Sequence, residues 1–530
     1  MGLLAIENLS VAIHGTPVLR DVSLQVEAGE IVALTGESGS GKSMTALAIM
    51  GLLPDGSETR GAIRLSGQAV TELPEPALCA LRGDEVGMVF QEPMTALNPV
   101  KTIGDQVAET ILIHEQTSRA DAAERAARML ERVGLPNAQF PLSRFPHELS
   151  GGQRQRVVIA MAIARRPALL IADEPTTALD VTTQATILHL LRDLVRDFGM
   201  GLVMITHDLA VVADLADRIA VMRAGEIVEQ GPTAQVLRER AHPYTAMLFE
   251  ASRHKADLPP AKDGAPLLEC REVVRDYAVA RTRLFAPRTY FRAVDRVSFT
   301  LPRGGRFGLV GESGCGKSTL TRALLGLEPV QGGDILLDGQ PIGRDPALRR
   351  RISVVFQDPN GSFNPRHRVD RLITEPFFLL DDPPKGTARQ AAIAEALEAV
   401  GLQASDGEKY IHEFSGGQRQ RIAIARALII RPEVIIFDEA VSALDVSVRA
   451  QVLDLLAELV SSHDLSYLFI SHDLTVVRSI TDHVLVMRAG QIVEQGPTEQ
   501  VLSAPAHGYT QSLIDAAPVL PDYAAQSPKG

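Results

Sequence analysis

Two eight-residue stretches of this sequence carry the residue types that bind phosphate groups. Residues 36–43 (GESGSGKS) and 311–318 (GESGCGKS) both fit the pattern G-x-x-x-x-G-K-[ST] of a P-loop. The glycines of such a loop let backbone N–H groups point at phosphate oxygens, and the helix that follows presents its positive end. The lysine adds a positive charge beside the β and γ phosphates, and the serine hydroxyl is a ligand for Mg²⁺. We therefore expect two ATP sites. Their predicted contact residues are Gly36, Ser38, Gly39, Gly41, Lys42, Ser43, Gly311, Ser313, Gly314, Gly316, Lys317, Ser318 and Thr319.

An acidic pair follows a short apolar run in each half of the sequence. The two pairs are Asp173 with Glu174 and Asp438 with Glu439. A carboxylate at the C-terminal edge of a buried strand is well placed to hold Mg²⁺, and we assign this role to the aspartates. Because side chains alternate along a strand, the glutamates are expected to point elsewhere, toward the place where water would attack the γ-phosphate. A solvated Asp-Glu pair is the alternative, but its repetition after apolar residues disfavours it.

A third motif predicts a second anion site in each half. Residues 149–153 (LSGGQ) and 414–418 (FSGGQ) each precede a helical run that begins with RQR. Ser-Gly-Gly at this position predicts a capped helix N-terminus with exposed N–H groups. A P-loop and a separate phosphate-seeking helix end indicate that nucleotide lies between two domains. The residues concerned are Ser150, Gly151, Gly152, Gln153, Ser415, Gly416, Gly417 and Gln418.

The motifs recur because a whole domain is duplicated. Leu3 matches Leu267, the two P-loops match each other, and Ser150 matches Ser415, with offsets of 264, 275 and 265 residues. The second copy therefore carries about eleven extra residues in the Arg-rich stretch 277–296. In each copy the pattern predicts a strand, a glycine-rich loop and a helix. Strands are expected at 31–34, 168–172, 202–205, 434–437 and 467–470, and helices at 43–50, 120–132 and 391–400.

Composition restricts the class of protein. A chain of 530 residues with 45% hydrophobic residues is expected to form two or more domains. Its formal net charge of −12 argues against a general nucleic-acid binder, which would need a basic surface. The three cysteines are far apart, which disfavours a disulfide framework and fits a reducing cytosol. Apolar runs are much shorter than the roughly 18 residues that span a bilayer, so we expect any membrane role to depend on partners.

The chain resembles a tandem pair of ABC-type ATPase domains along nearly its whole length. This resemblance implies an α/β fold with two tandem ABC ATPase (P-loop NTPase) domains. Each would have a RecA-like α/β core, an antiparallel β subdomain and a helical signature subdomain. The expected boundaries are 1–250 for the first domain, 251–266 for a polar, Pro-rich linker, 267–519 for the second domain and 520–530 for a flexible tail.

The resemblance also implies roles for further residues. The switch histidines would be His207 and His472, catalytic together with Glu174 and Glu439. Two ATP molecules would close the domains head to tail, so that each P-loop faces the Ser-Gly-Gly of the other half. The aromatic residue that stacks on adenine would be Tyr277, whereas Ile13 occupies this register in the first half and weakens the expectation there. The Q-loop residues would be Gln91 and Gln357, the D-loop residues Asp180 and Asp445, and the Mg²⁺ ligands Ser43, Gln91, Asp173, Ser318, Gln357 and Asp438.

At a finer level the chain resembles the ATPases of peptide-type ABC importers. The segments that carry this likeness are 91–99 (QEPMTALNP), 357–365 (QDPNGSFNP), 229–232 and 494–497 (both EQGP), 242–245 (HPYT) and 508–510 (GYT). The fusion of two such ATPases is most similar to the Yej-type oligopeptide and microcin C importers. The resemblance implies a protein at the cytoplasmic face of the inner membrane. Its partners would be two transmembrane permeases docked near the Q-loops and an extracytoplasmic peptide-binding protein.

Two alternatives stay open. Importers of nickel and other small solutes share the peptide-type motifs, so the cargo is not fixed by them. A soluble tandem ABC translation factor also has two such domains, but it is expected to join them with a long charged helical linker. Residues 251–266 (ASRHKADLPPAKDGAP) are short and Pro-rich, which disfavours that class.

Overall fold

The computed structural model contains two similar halves, each built from two sheets with helices packed on them. It describes the whole chain except residues 1, 178, 262–263, 280–287, 344, 443, 464 and 523–530. The last eight residues of the predicted tail and most of the second-copy insertion therefore lie outside the described residues.

The first half contains ten strands and ten α-helices in the described residues. Its strands are β1 (Leu4–Ile13), β2 (Thr16–Val26), β3 (Ile31–Thr35), β4 (Ser57–Leu65), β5 (Gln68–Ala69), β6 (Val86–Val89), β7 (Leu169–Asp173), β8 (Gly201–Ile205), β9 (Arg218–Arg223) and β10 (Glu226–Pro232). Its helices are α1 (Lys42–Ile49), α2 (Glu75–Leu81), α3 (Pro93–Ala96), α4 (Ile103–His114), α5 (Arg119–Arg132), α6 (Gly151–Ala162), α7 (Val181–Phe198), α8 (Leu209–Leu215), α9 (Thr233–Glu239) and α10 (Pro243–Ser252).

The described part of the second half repeats this order. Its strands are β11 (Pro266–Ala278), β12 (Tyr290–Pro302), β13 (Arg306–Val310), β14 (Gly332–Leu337), β15 (Gln340–Pro341), β16 (Ile352–Val355), β17 (Val434–Asp438), β18 (Ser466–Ile470), β19 (His483–Arg488) and β20 (Gln491–Pro497). Its helices are α11 (Lys317–Leu324), α12 (Pro346–Arg349), α13 (Pro359–Ser362), α14 (Val369–Ile373), α15 (Gly386–Glu398), α16 (Gly416–Leu428), α17 (Val446–His463), α18 (Leu474–Ile480), α19 (Thr498–Ser503) and α20 (Gly508–Ala516). Short 3₁₀ helices lie at Val70–Glu72, Pro146–Glu148, Glu375–Leu379, Ala404–Glu408 and Ile411–Glu413.

A six-stranded sheet forms the centre of each half. Its order is β10-β9-β3-β8-β7-β6 in the first half and β16-β17-β18-β13-β19-β20 in the second. All neighbours are parallel except the pairs β9–β10 and β19–β20. Every residue of β3, β7 and β8 is buried, as expected of parallel strands with both faces covered. The predicted strands and helices are confirmed, with ends that differ by a few residues.

A second, antiparallel sheet of four strands packs beside the first, in the orders β2-β1-β4-β5 and β12-β11-β14-β15. The extra residues of the second copy lengthen its hairpin. Strands β11 and β12 have 13 residues each, against 10 and 11 in β1 and β2. The duplication therefore keeps the sheet order, and the extra residues of the second copy lie between two neighbouring strands of the antiparallel sheet, where insertions disturb the core least.

Parallel strands bring the chemical groups of each half to one edge. The P-loop follows β3, Gln91 follows β6, Asp173 ends β7 with Glu174 directly after it, and His207 follows β8. These strands are neighbours in the sheet, and their C-terminal ends meet on the same side. Residues separated by more than 100 positions in the sequence therefore lie around one crevice.

Each half also contributes apolar side chains to a core cluster of the other half. Val181 at the start of α7 is buried in a core cluster of the second half, and Ala256 and Leu258 pack against the same cluster. In return, Leu520 packs against a core cluster of the first half. The linker is therefore packed against the second half through Ala256 and Leu258. No helix in the described ranges is long and apolar enough to cross a membrane.

A buried ion pair distinguishes the second half and gives a stability prediction. Arg306 on β13 is 2% exposed, and its guanidinium donates to both carboxylate oxygens of Asp482 at 2.6 and 2.7 Å. In the first half the matching residues are Ile31 and Asp217, where Asp217 accepts the Ile31 N–H at 2.9 Å and isoleucine offers no cation. Asp482→Ala leaves a buried cation without a partner, which is expected to cost about 3–5 kcal/mol of unfolding free energy. Asp217→Ala, the matched control, is expected to cost about 1 kcal/mol.

Urea denaturation followed by circular dichroism measures this difference. The midpoint of the Asp482→Ala variant should lie well below that of the Asp217→Ala variant. Equal midpoints for the two variants would contradict the role given to the Arg306 pair.

Candidate nucleotide sites

The two P-loops adopt conformations that require glycine. Gly36 has φ 147°, and a Cβ on it would lie 2.2 Å from the carbonyl oxygen of Met222. Gly311 repeats this with φ 154° and the Met487 oxygen at 2.2 Å. Each loop therefore passes directly over the strand next to β3 or β13. The last glycine of each loop, with φ 105° and 113°, is the N-cap of the following helix.

The P-loop lysines are buried and bonded to their own loops. Lys42 Nζ donates to the carbonyl oxygens of Gly36 and Glu37, both at 2.8 Å. Lys317 Nζ does the same to the residues at the matching positions, at 2.7 and 2.9 Å. Burial lowers the pKa of Lys42, although Glu174, Asp445 and other nearby carboxylates act in the opposite direction. The ammonium groups thus lack a bonded anion within their loops, and a phosphate would supply one.

The aspartates that end β7 and β17 are buried carboxyl groups. Burial raises the pKa of Asp173, and a hydrogen bond with the Ser43 hydroxyl works against this. Burial and the neighbouring Glu439 charge raise the pKa of Asp438 to about 6. A hydroxyl and a carboxylate at a P-loop are oxygen donors of the kind that Mg²⁺ takes, with phosphate oxygens and water completing its shell. The described residues contain no cluster of three or more His, Cys, Asp or Glu that would hold a metal without such help.

Three side chains contact the carboxylate of Glu174. Its carboxylate accepts hydrogen bonds from Gln91 Nε2 and Thr177 Oγ1, both at 2.9 Å, and His207 Nδ1 lies 3.3 Å from Oε1. Burial works to raise its pKa, but the hydrogen bond and charge of His207, with Thr177 and Lys42, lower the pKa to about 2. Glu174 is therefore a carboxylate at neutral pH. The same contact raises the pKa of His207 in spite of its burial.

The second copy keeps the glutamate–histidine contact, but its hydroxyl residue does not bond the glutamate carboxylate in the same way. His472 Nδ1 lies 3.5 Å from a Glu439 carboxylate oxygen, and this contact lowers the pKa of Glu439 against the effect of burial. Ser442 stands in place of Thr177, and its hydroxyl donates to the Glu439 backbone oxygen at 2.9 Å instead of the carboxylate. Glu174 and Glu439 therefore differ in their surroundings.

The direction of these glutamates does not come from strand alternation, which the sequence reasoning had used. Glu174 and Glu439 lie just beyond their strands with φ 47° and 51°, in the left-handed region. Their N–H groups donate to Ile205 and Ile470 of the neighbouring strands at 2.9 Å. The positive φ at these non-glycine residues, not strand pleating, therefore sets the direction of the side chains. Such a conformation costs energy and is often found at functional sites.

Both Ser-Gly-Gly-Gln motifs begin helices, as predicted. Ser150 Oγ accepts the Gln153 N–H at 3.3 Å, and Gln153 Oε1 accepts the Ser150 N–H at 2.9 Å. Ser415 and Gln418 form the same capping box at 3.4 and 3.0 Å. Because the serine side chains cap their own helices, the glycine N–H groups of the first turn are the groups left for an anion.

The second glycine of each signature motif is packed too closely for any other residue. A Cβ on Gly152 would lie 2.2 Å from a methyl carbon of Thr183 on α7, and one on Gly417 would lie 2.2 Å from a methyl carbon of Val448 on α17. Each signature helix is thereby seated on the helix that follows the D-loop of its own half. A movement of one of these helices must therefore affect the other.

The D-loop aspartates join the two halves. Asp445 Oδ1 accepts the Ser38 N–H of the first P-loop at 2.9 Å, and Asp180 Oδ2 accepts the Ser313 N–H of the second at 3.2 Å. A small cavity beside the first P-loop is lined by residues from both halves, including His207 and Asp445. Each candidate site is therefore built from two halves. We call the site with the first P-loop site one and the site with the second P-loop site two.

A second set of cross-half contacts involves the glutamates of the P-loops, which the sequence reasoning missed. The Ser447 hydroxyl donates to the Glu37 carboxylate, and the Thr182 hydroxyl donates to the Glu312 carboxylate at 2.9 Å. The signal for them was present in the duplicated register, because both copies place a hydroxyl residue two positions after the D-loop aspartate. The partner of this hydroxyl depends on how the two halves pack together, which the sequence pattern does not predict.

Tyr277 has partners within its own half. Its hydroxyl donates to the Glu328 carboxylate, and the Arg275 guanidinium lies 4.6 Å from the ring centroid. In the first half Ile13 pairs with Thr16 at the tip of the β1–β2 hairpin. Stacking of adenine on Tyr277 remains a prediction, and an incoming base would share the ring with Arg275.

Comparisons with known proteins agree with this architecture. A family model described as ABC transporter matches residues 19–177 and 294–442. A second model, described as the C-terminal region of oligopeptide/dipeptide transporters, matches residues 228–262 and 493–529. Both models match twice, once in each half.

Full-length relatives are proteins named glutathione import ATP-binding protein GsiA. Those from Escherichia coli strain K12 and Shigella dysenteriae are both 46% identical over 564 aligned positions, which cover 98% of this chain and 90% of the relatives. Among solved structures, the dimeric ATP-binding cassette MJ0796 in a post-hydrolysis state with ADP and Pi is 30% identical. It covers 43% of this chain and 98% of its own, with a TM-score of 0.39.

Proposed function

Because the chain belongs to the ABC transporter family, as the ATP-hydrolysing subunit of an importer of the oligopeptide, dipeptide and glutathione type, we propose that it powers uptake of short peptides, glutathione among them. The observation that carries the proposal is the 46% identity to glutathione import ATPases across both halves. A transporter-type C-terminal region in each half supports it. Microcin C-like peptides, as in the Yej-type importers, and nickel or other small solutes are the alternative cargoes.

The site geometry supports hydrolysis in both halves. In each site a glutamate carboxylate contacts a histidine, and the P-loop lysine donates to two carbonyl oxygens of its own loop. In our proposal the lysine binds the β and γ phosphates, the glutamate orients water and accepts its proton, and the histidine contacts the γ-phosphate. The glycine N–H groups of the opposite signature motif complete the phosphate shell.

The contacts of Glu174 suggest how idle hydrolysis is restrained at site one. Gln91, Thr177 and His207 all contact its carboxylate oxygens. We infer that an arriving γ-phosphate attracts His207 and Gln91, because it carries more negative charge than the glutamate. The carboxylate then regains a free lone pair and a higher pKa, and both changes make it a better base for water.

Mg²⁺ fits the donor set of the sites. We propose that Ser43, Asp173 and Gln91 hold it at site one, and that Ser318, Asp438 and Gln357 hold it at site two. When bound, the ion would neutralise charge on the β and γ phosphates. The protein's own part is to present oxygen atoms and to keep the aspartates close to the P-loop serines.

Partners and location follow from the same family. We propose that two transmembrane permeases dock near the Q-loops Gln91 and Gln357, that an extracytoplasmic binding protein delivers the peptide, and that the chain sits at the cytoplasmic face of the inner membrane. The negative net charge is consistent with a partner other than nucleic acid. The proposed units are 1–250 and 267–519, joined by 251–266 and followed by 520–530.

Reconstitution tests the cargo directly. The chain, its cognate permeases and its binding protein are placed in proteoliposomes, and ATP hydrolysis is measured with glutathione, a dipeptide, an oligopeptide and Ni²⁺ in turn. We expect glutathione or the short peptides to stimulate hydrolysis, with uptake of the labelled solute. The Glu439→Gln complex serves as the control without turnover. Stimulation by Ni²⁺ alone would contradict the proposal and favour the small-solute alternative.

A further inference from the structure

A tyrosine from the C-terminal region of each half reaches its own P-loop. The Tyr244 hydroxyl accepts the Glu37 N–H at 3.0 Å, and the Tyr509 hydroxyl accepts the Glu312 N–H at 3.0 Å. Both tyrosines are buried, with exposed fractions of 3% and 6%. Neither belongs to the phosphate-binding motifs, yet both contact the residue that directly follows the first glycine of the loop.

Each tyrosine is held in place by a chain of polar contacts. The His242 ring accepts the Tyr244 N–H at 3.1 Å and caps α10, and the Glu229 carboxylate of β10 accepts the N–H groups of Ala241 and His242 at 3.0 and 3.1 Å. The Arg223 guanidinium lies 5.0 Å from the Tyr244 ring centroid. The second half repeats every contact of this chain; its members are Glu494, Ala506, His507, Tyr509 and Arg488.

The helices that carry these tyrosines pack against the opposite half. Helix α10 contacts α17, and helix α20 contacts α7. Just beyond α10, His254 pairs with Asp454 of α17 at 2.6 Å. Helices α7 and α17 follow the D-loops and supply the hydroxyls that bind the P-loop glutamates. Glu37 is therefore held from both halves, by Tyr244 at its backbone and by Ser447 at its carboxylate.

A purely structural role for the tyrosines would need only their rings. The rings fill buried space and lie against arginines, and phenylalanine would keep both features. The hydroxyl does something else, because it is the acceptor for a P-loop N–H. Burial, with the nearby Glu37 carboxylate, raises the pKa of Tyr244 to about 12, so the group stays neutral at working pH. The next N–H along, that of Ser38, goes to Asp445 of the other half. Two successive N–H groups of the loop are thus fixed, one from each half.

We propose that Tyr244 and Tyr509 are positioning residues that hold the P-loops in their ATP-binding conformation and link them to the packing of the C-terminal helices on the opposite half. This inference rests on the nucleotide sites proposed above. It gives the C-terminal regions a role in ATP binding, in addition to the contacts that keep the halves together. A shift of α10 against α17 would act on Glu37 through both of its partners.

Equilibrium binding of ATP to the hydrolysis-deficient variant Glu174→Gln/Glu439→Gln tests the role of the hydroxyl. In that background Tyr244→Phe is expected to weaken one of two sites by about fivefold, the loss of one neutral hydrogen bond. Tyr509→Phe is expected to weaken the other site, and the two together should weaken both. Tyr290→Phe, which alters a tyrosine that is 60% exposed, is the matched control.

A double-mutant cycle separates positioning from simple packing. Tyr244→Phe and Ser447→Ala both act through Glu37, so their effects on ATP affinity should be non-additive. Tyr509→Phe and Ser447→Ala act on different sites and should be additive. Unchanged affinities in the Phe variants, or additivity in both cycles, would overturn the inference. So would a fall in melting temperature without a change in affinity, which would leave the hydroxyl a role in folding alone. Failure of the parent variant to bind ATP would instead overturn the proposed nucleotide sites.

Discussion

Replacement of Glu174 or Glu439 by glutamine is expected to lower steady-state ATP hydrolysis at least ~100-fold, the scale of a lost general base. Glutamine has nearly the shape of glutamate but cannot take the proton of the attacking water. Burial works to raise the pKa of both glutamates, but their contacts with His207 and His472 lower it, which favours the carboxylate form at neutral pH. Binding of ATP does not need this proton transfer, so nucleotide should stay trapped between the halves. Rapid gel filtration with labelled ATP measures the trapped amount.

The duplicated chain makes the two single variants controls for each other. Because each site is closed by residues of both halves, one inactive site is expected to hold the other closed, and both variants should lose most turnover. Glu124→Gln is the neutral control, because Glu124 is an exposed residue of α5 that pairs only with Arg128 four positions on. Near-normal hydrolysis in the Glu439→Gln variant would contradict a mechanism with two required sites.

The parts of the sites that the sequence predicted are those whose chemistry is local. A P-loop needs glycines at fixed spacing because its backbone runs so close to the neighbouring strand that a Cβ on Gly36 would lie 2.2 Å from the Met222 carbonyl oxygen. A signature motif needs Ser and Gln three positions apart because they cap the same helix turn. Such requirements fix residue types within about ten positions, so they can be recognised in the sequence. Because both halves contain the same motifs in the same order, a chance match is disfavoured.

The contacts between the halves were not readable in this way. Ser447 meets Glu37 across 410 positions of sequence, and Asp445 meets Ser38 across 407. Serine and glutamate are common surface residues, and their spacing in the sequence does not predict which surfaces of the two halves are in contact. The left-handed turn at Glu174 was missed for a related reason, since positive φ is expected of glycine and here depends on a bond to the next strand.

The difference between the two glutamate environments also depends on geometry. Thr177 and Ser442 are chemically alike, and their exchange reads as conservative in the sequence. In the structure the threonine hydroxyl reaches the carboxylate of Glu174, whereas the serine hydroxyl turns to the backbone oxygen of Glu439. The duplicated halves therefore need not hydrolyse ATP at the same rate.

Replacement of a P-loop lysine is expected to weaken nucleotide binding strongly at its own site. Lys42→Ala removes a buried ammonium whose partners within its loop are two carbonyl oxygens and the Ser40 hydroxyl, all of them uncharged. Charge-assisted hydrogen bonds to phosphate contribute about 1.5–3 kcal/mol each, so loss of one or two should weaken ATP binding at site one by roughly 100-fold. Isothermal titration calorimetry of the Glu174→Gln/Glu439→Gln parent measures it, and the stoichiometry should fall from two ATP to one.

Two further variants make this result specific. Lys317→Ala should remove the other site, and the double variant should bind no ATP at micromolar concentrations. Lys101→Ala removes a half-exposed lysine that pairs with Glu109 on the surface, and it should leave both affinities unchanged. If Lys42→Ala instead weakened both sites equally, the sites would have to bind ATP as one unit, which would contradict independent loading. The contacts of Asp445 and Ser447 with the first P-loop favour independent loading followed by joint closure, because they hold the loop without occupying its lysine.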